Sequence, residues 1–455
     1  MTETIIRGEF EYNEKAYPFV IQNRILTVVQ SAFHYVEDFK DKKNLGTLFG
    51  VTDTNKYIFL LDCQVLNSQF IVLNGKIQIS LHGYVLQDSK DDTYDRIKFH
   101  SPALNVFYSP RKAWTPQNGE NQGQLGLTIN SYNDSSQQIM VNILNEPINC
   151  TWDFECRFNL RLEDCQTLSI STNFSMVFQN PKSSKDIGKY YLYIRDFLAF
   201  ANFRRNIPFD EITLWHLGKD GKFYESGEVV IFQKDDIFYD LKTLNTITYD
   251  DLGADLFAKL FKDIAEQRIS KNYNPYFIPP NSAEYNVVDR EKWLVTAIAF
   301  EGEFNKKYKD LKSEQSSKFQ DAKSLLLSAI TRAVQTSGVS INNPQNKYLK
   351  SFQHLIEHYD TTIKEKYQSC ETLFSLEIES IQKNYCYRLK IPNETDFAEE
   401  YAKARNRSAH GIIEPIKNTD LVTFLLLRCF IYLLTMERAS IPSDKRKKII
   451  TKLFG

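Results

Sequence analysis

The sequence predicts an α+β multidomain chain, a β-sandwich-like N-terminal module followed by an all-α helical bundle. Three observations predict it. The chain has 455 residues, too many for one compact core at roughly 150 residues per domain. Short β-branched and aromatic runs divided by polar turns fill the sequence up to about Gln179. Beyond Glu284 the apolar spacing changes to a 3.6-residue period and keeps it. With 42% hydrophobic residues, 32 Phe and 25 Tyr, there is ample material for buried cores, and disorder through low hydrophobicity is excluded.

The strand-like runs come first: Tyr57 to Leu61, Phe70 to Leu73, Lys76 to Leu81, Asn105 to Tyr108 and Leu168 to Thr172. Asn74-Gly75 between two of them is a tight-hairpin signal, and the Asn-, Gln- and Gly-rich stretch Thr115 to Gln124 reads as a loop. A helix is predicted over 187–204, its apolar positions Tyr190, Tyr191, Ile194, Phe197, Leu198 and Ala201 recurring at three- and four-residue steps. Ile212 to Trp215 and Val229 to Phe232 then read as strands with a turn at Lys219 to Lys222. Residues 1–240 form the expected recognition module. Residues 241–283 supply a helix, Asp250 to Arg268, and a proline-rich linker, Asn272 to Ser282. Residues 284–455 form the bundle, with helices at Asp289 to Leu311, Ser317 to Thr336, Lys347 to Asp360, Ile363 to Tyr385, Asp396 to Ala409 and Asp420 to Arg438. The last is expected to be amphipathic.

A net charge of −1 removes the global positive field of a protein that coats nucleic acid, so any RNA contact must be local. The N-terminus carries charges where a secretory signal needs an apolar core, and the longest apolar run, Leu421 to Met436, is interrupted by Arg428. We therefore expect a cytoplasmic protein without a membrane segment. Seven cysteines with no C-x-x-C pair suggest reduced core thiols rather than disulfides or a zinc ribbon. No phosphate-binding glycine loop is present, and no cofactor is expected.

The chemistry-bearing motif is Arg405-Asn406-x-x-x-His410, followed by Gly411. Asn393-Glu-Thr-Asp396 offers a cap for the predicted helix and Gly411 is placed to end it, so the motif occupies its last turn and a half. At 100° per residue Asn406 and His410 lie about 40° apart, while Arg405 is about 140° from His410 and must reach round. These residue types suit phosphodiester cleavage without metal. Histidine can take a proton from a ribose 2′-hydroxyl or give one to the leaving 5′-oxygen. Arginine's planar fork matches two phosphate oxygens and stabilises charge accumulating there. Asparagine can orient either partner.

An R-N-x-x-x-H element late in a helical bundle resembles the HEPN superfamily of ribonucleases. The resemblance implies an acidic partner on the first helix of the bundle. In Ala299-Phe300-Glu301-Gly302-Glu303-Phe304, Glu301 fits that slot, with Glu303 the weaker choice. The whole order, β-rich module then HEPN bundle, resembles the ApeA group of bacterial anti-phage proteins, and Asn105 to Trp114 adds modestly to the likeness. It implies a metal-independent endoribonuclease of an abortive-infection system that cleaves RNA, with transfer RNA a plausible target. It also implies a homodimer in which two motifs share one cleft, and a phage-derived trigger at the N-terminal module. Products would carry a 2′,3′-cyclic phosphate and a 5′-hydroxyl.

Two other readings compete. In the first, the bundle is not catalytic and serves as a module that binds RNA or a protein partner. His354-x-x-Glu357-His358 spells an inverted zinc-protease signature on one helix face, although no third ligand stands out. Of the secondary signals, the basic run Lys445 to Lys448 reads as a solvated terminus or an RNA contact. Tyr190 to Tyr193 with Phe197 reads as core, with base stacking as the rival.

Overall fold

The computed structural model describes residues 5–28, 38–39, 42–69, 76–118, 125–129, 137–159, 167–232, 245–308, 317–336, 344–357, 362–392, 394–409 and 414–455. The chain divides into two compact units, Met1–Asn286 and Val287–Gly455. The first is β-rich and the second, among the described residues, is entirely helical, as the change of period predicts.

The first unit opens with β1 (Ile6–Tyr12), β2 (Lys15–Gln22) and β3 (Ile25–Val28). Their two connections are two-residue turns at Asn13-Glu14 and Asn23-Arg24, and all four residues have positive φ. That is the turn geometry whose twist matches paired strands. Next come β4 (Asn44–Thr52), β5 (Tyr57–Gln69) and β6 (Lys76–Ser80). β1 pairs with β2 and β4, β3 with β2 and β6, and β5 with β4 and β6. Those pairings close a six-stranded ring. Inward alternation fills it with Phe10, Tyr17, Phe19, Ile21, Leu26, Leu60, Ile77 and Ile79, and closure removes the unpaired strand edge. Gly50 permits a close approach of β4 to β1 in this ring. A Cβ there would lie 2.3 Å from the Glu9 carbonyl oxygen on β1.

The same sheet continues away from the ring through β7 (Gly83–Gln87), which pairs with the first half of β5. It extends through β15 (Phe223–Ile231), β14 (Glu211–Leu217), β8 (Thr93–His100), β13 (Thr167–Ser183), β12 (Glu146–Asn159) and β11 (Gln137–Ile143). A separate ribbon pairs β9 (Trp114–Asn118) with β10 (Leu125–Ile129), so part of the stretch read as a loop is strand. In place of two facing sheets there is one antiparallel sheet that curls shut at one end. The two-residue alternation is the same in both architectures, and only the strand register separates them.

One face of the extension is covered by α2 (Ile187–Asn202) and α3 (Tyr249–Ile269). Trp152 on β12 and Phe174 on β13 meet Phe257 of α3 at ring-centroid distances of 5.4 and 6.2 Å. Tyr190, Tyr191 and Tyr193 are buried in this layer, so the aromatic stripe is core. Asp196 of α2 accepts from both Arg195 and Arg268, tying α2 to α3. The proline-rich segment after α3 also packs here: Phe277 and Ile278 are buried, and the Arg205 amide donates to the Pro279 carbonyl at 2.8 Å. Asn105 to Tyr108, read as a strand, belongs instead to the short helix α1 (Pro102–Phe107) and its cap. The Ser101 side chain accepts the Ala103 amide and proline occupies the first turn, start signals that outweigh β-propensity over six residues. The Asn74-Gly75 hairpin lies outside the described residues.

The second unit contains α4 (Arg290–Tyr308), α5 (Ser317–Thr336), α6 (Pro344–Glu357), α7 (Ile363–Leu373), α8 (Ser375–Leu389), α9 (Phe397–Ala409), α10 (Asn418–Arg438) and α11 (Ser443–Phe454). The single helix expected from Ile363 to Tyr385 is broken at Phe374, whose φ and ψ of −116° and 21° are not helical. The broken ends keep one apolar period, so the pattern alone runs them together. α10 is buried on nearly every side from Val422 to Met436 rather than amphipathic. It has the length and apolarity of a membrane span, yet 83% of that window is buried inside the unit. The basic run at Lys445 starts α11, whose Ile449, Ile450, Leu453 and Phe454 are buried. Arg446 within that run binds Glu377 at 2.9 Å, so this residue is a packed element rather than a free basic tail.

Candidate active site

α9 carries the motif. Asp396 starts it by accepting the Glu399 amide at 2.9 Å, and Phe397, Ala398, Tyr401 and Ala404 bury one stripe of it against the bundle. Arg405 follows Ala404 on the border of that stripe. Its Nε–H donates to Oε1 of Glu301 on α4 at 3.3 Å, across 104 positions of sequence. The Tyr401 hydroxyl, one helical turn earlier, donates to the same Glu301 oxygen at 3.3 Å.

Tyr401 is held by aromatic packing. Its ring stacks on Tyr367 at 5.3 Å and meets Trp293 and Phe300 at 5.8 Å each. Burial, and then the neighbouring Glu301 carboxylate, push its phenol well above the ordinary range. It therefore stays a hydrogen-bond donor and fixes the carboxylate that receives Arg405.

Glu301 and Glu303 point into different settings. Glu303 is buried and bonded to Lys306 and, at 2.7 Å, to Arg438 Nη1. Glu301 is the acidic partner that meets Arg405. Asn406 is exposed, and no hydrogen bond joins it to Arg405 or Glu301 among the described residues. His410 and Gly411 lie outside the described residues. So does His358 of the rival metal signature, while His354 and Glu357 are described only as backbone within α6. Next to Arg405 in sequence, Arg407 grips Asp420 at 3.0 Å and Glu414 at 3.5 Å, fastening the segment after α9 to the start of α10.

Two residues of this cluster escaped the sequence reading. Tyr401 was detectable as the residue four before Arg405, on the same helical face. Lys366 on α7 had no sequence signal. Its Nζ donates to Asn305 Oδ1 at 2.9 Å and lies 6.0 Å from the Phe304 ring centroid. Burial pulls the ammonium below the usual lysine range, Glu301 acts against that and Arg405 adds to it. Lys366 thus stands within Coulombic reach of both members of the pair. The arrangement can present two cations to an anionic ligand over one fixed carboxylate.

A β-rich module leading into a helical unit, with a carboxylate-held arginine near a helix end, defines a two-part chain whose polar cluster sits in its helical half. The family model for ApeA N-terminal domain 1 matches residues 22–261, more than half of the chain. The protein belongs to the ApeA family and is an ApeA-type anti-phage defence protein. No curated protein and no solved structure matches it.

Proposed function

We propose that this protein is a metal-independent HEPN endoribonuclease, the effector of an abortive-infection response. The observation that carries the reading is the Arg405–Glu301 pair. An arginine from the R-N-x-x-x-H element meets the acidic residue of the first bundle helix, and both remain within reach of solvent. In the proposed reaction the RNA's own 2′-hydroxyl attacks the adjacent phosphorus and the 5′-oxygen leaves. His410 moves the proton, as general acid or base. Arg405 stabilises the charge growing on the phosphoryl oxygens, Glu301 and Tyr401 hold the guanidinium in place, and Asn406 orients the reacting groups from the exposed side of the helix. The 2′,3′-cyclic phosphate and 5′-hydroxyl follow from that atom balance, and DNA is inert because it lacks the nucleophile.

The reading extends to a cytoplasmic homodimer joined through the bundle, to transfer RNA as a substrate, and to a phage component that releases activity through the N-terminal module. Exchange of His410 for alanine tests the core of it. Purified wild-type protein is expected to cleave RNA and its overexpression to arrest growth, with both lost in His410→Ala. Cleavage and arrest that persist in the variant refute the catalytic assignment. RNA binding without cleavage by the wild type leaves the non-catalytic module as the correct reading.

A further inference from the structure

We propose that Lys366 is a second phosphate-binding cation of this site, holding an RNA phosphate alongside Arg405. The inference rests on the ribonuclease reading and names the residue that grips the strand.

Three lysines near this cluster are matched to carboxylates: Lys306 to Glu303, Lys307 to Glu437 at 3.2 Å, and Lys364 to Glu399 at 2.8 Å and Asp396 at 2.9 Å. Lys366 differs. Its bonded acceptor is the neutral amide oxygen of Asn305, and no described carboxylate lies within ion-pair distance of its Nζ. A cation taken partly out of water without a matching anion is unfavourable, and its proton affinity falls accordingly. Arg405 adds to the imbalance. It donates to Glu301 only through Nε, and no described residue accepts from its two Nη groups. Asn305 stands one helical turn after Glu301 on α4, so its bond to Lys366 brings that ammonium to the helix face that carries the Arg405–Glu301 pair, where two cations meet one carboxylate. An anion completes that cluster, and a phosphodiester can take the Arg405 fork on one side and the Lys366 point charge on the other.

The rival role is a staple, in which Lys366 only joins α7 to α4 through Asn305. The test uses the full-length chain and a fluorescently labelled single-stranded RNA. In a His410→Ala background, Lys366→Ala is expected to weaken binding about tenfold, the size of one charge-assisted hydrogen bond. It should also lower the slope of log affinity against log salt by about 0.7. Lys366→Arg should restore both, and Asn305→Ala, which removes the staple and keeps the charge, should leave the slope intact. In the cleaving wild-type background Lys366→Ala should lower kcat/KM about tenfold or more, and Lys366→Arg should recover most of it. Unchanged affinity and slope in Lys366→Ala, or a Lys366→Arg as weak as the alanine, overturns the proposal. Cleavage that ignores Lys366 retires this inference and leaves the nuclease standing. Lys366-dependent binding without cleavage by the wild type does the reverse.

Discussion

Glu301 and Glu303 stand two residues apart on α4 and enter opposite kinds of charge network. Glu303 is enclosed: its side chain is 7% exposed, Arg438 is 16% exposed, and Lys306 and Arg438 each take one of its oxygens. Glu301 is open, 20% exposed against 29% for Arg405, and its Oε1 serves both Tyr401 and Arg405 while the arginine fork stays unspent. A closed network holds helices together, whereas an open one with surplus donors receives a ligand. Under the proposed ribonuclease reading, the difference separates a structural ion pair from a functional one on the same helix.

The comparison breaks most sharply under truncation. Glu303→Ala removes the buried carboxylate that Arg438 and Lys306 share and should destabilise the fold by about 3–5 kcal/mol, read by chemical denaturation. Arg405→Ala should cut kcat by about 10²–10³ while changing stability by no more than about 1 kcal/mol. Equal stability losses in the two variants would erase the distinction between the networks.

A pH-dependent prediction sharpens it at a third carboxylate. Burial, with Asp396 adding to it, pushes the Glu371 carboxyl up to about 7. The folded state then binds this proton more tightly than the unfolded state. Its contribution to stability is complete below the ordinary carboxyl range near 4.5 and is lost as pH rises through 7. Glu371→Gln should accordingly match the wild type's pH trend below 4.5 and gain about 1–2 kcal/mol on it by pH 8, allowing for solvent screening at this partly buried position. Thermal melts across that range check the sign. A variant that loses ground at high pH contradicts it.

The smallest effect belongs to Tyr401→Phe, which removes one hydrogen bond to Glu301 and keeps the ring packing. Stability should fall by about 0.5–1.5 kcal/mol, and kcat should fall several-fold as Arg405 loses its fixed acceptor. A kcat equal to wild type would mean that Glu301 is held without Tyr401.

Legibility followed the range of each signal. The two fold classes, α2, and the bounds of α5 and α9 were readable because each depends on local period and capping. Sheet closure was not readable, since it depends on the pairing of β5 with both β4 and β6, and no single strand records its register. α11 was hidden because its first turns, Lys445 to Lys448, are charged, and the apolar stripe of Ile449, Ile450, Leu453 and Phe454 begins only beyond them. The break at Phe374 changes one residue's dihedrals without disturbing the apolar rhythm. At the site, Glu301 was reached only through the HEPN resemblance, since spacing to Arg405 carries no information across 104 positions. Lys366 depends on how α7 packs against α4 and left no trace in sequence.

The most direct test is incubation of the purified full-length protein with RNA in EDTA, followed by analysis of the product ends. We expect cleavage that survives chelation, fragments ending in 2′,3′-cyclic phosphate and 5′-hydroxyl, and their disappearance in Arg405→Ala. Fragments with 5′-phosphate ends, or cleavage undiminished in Arg405→Ala, would contradict the account.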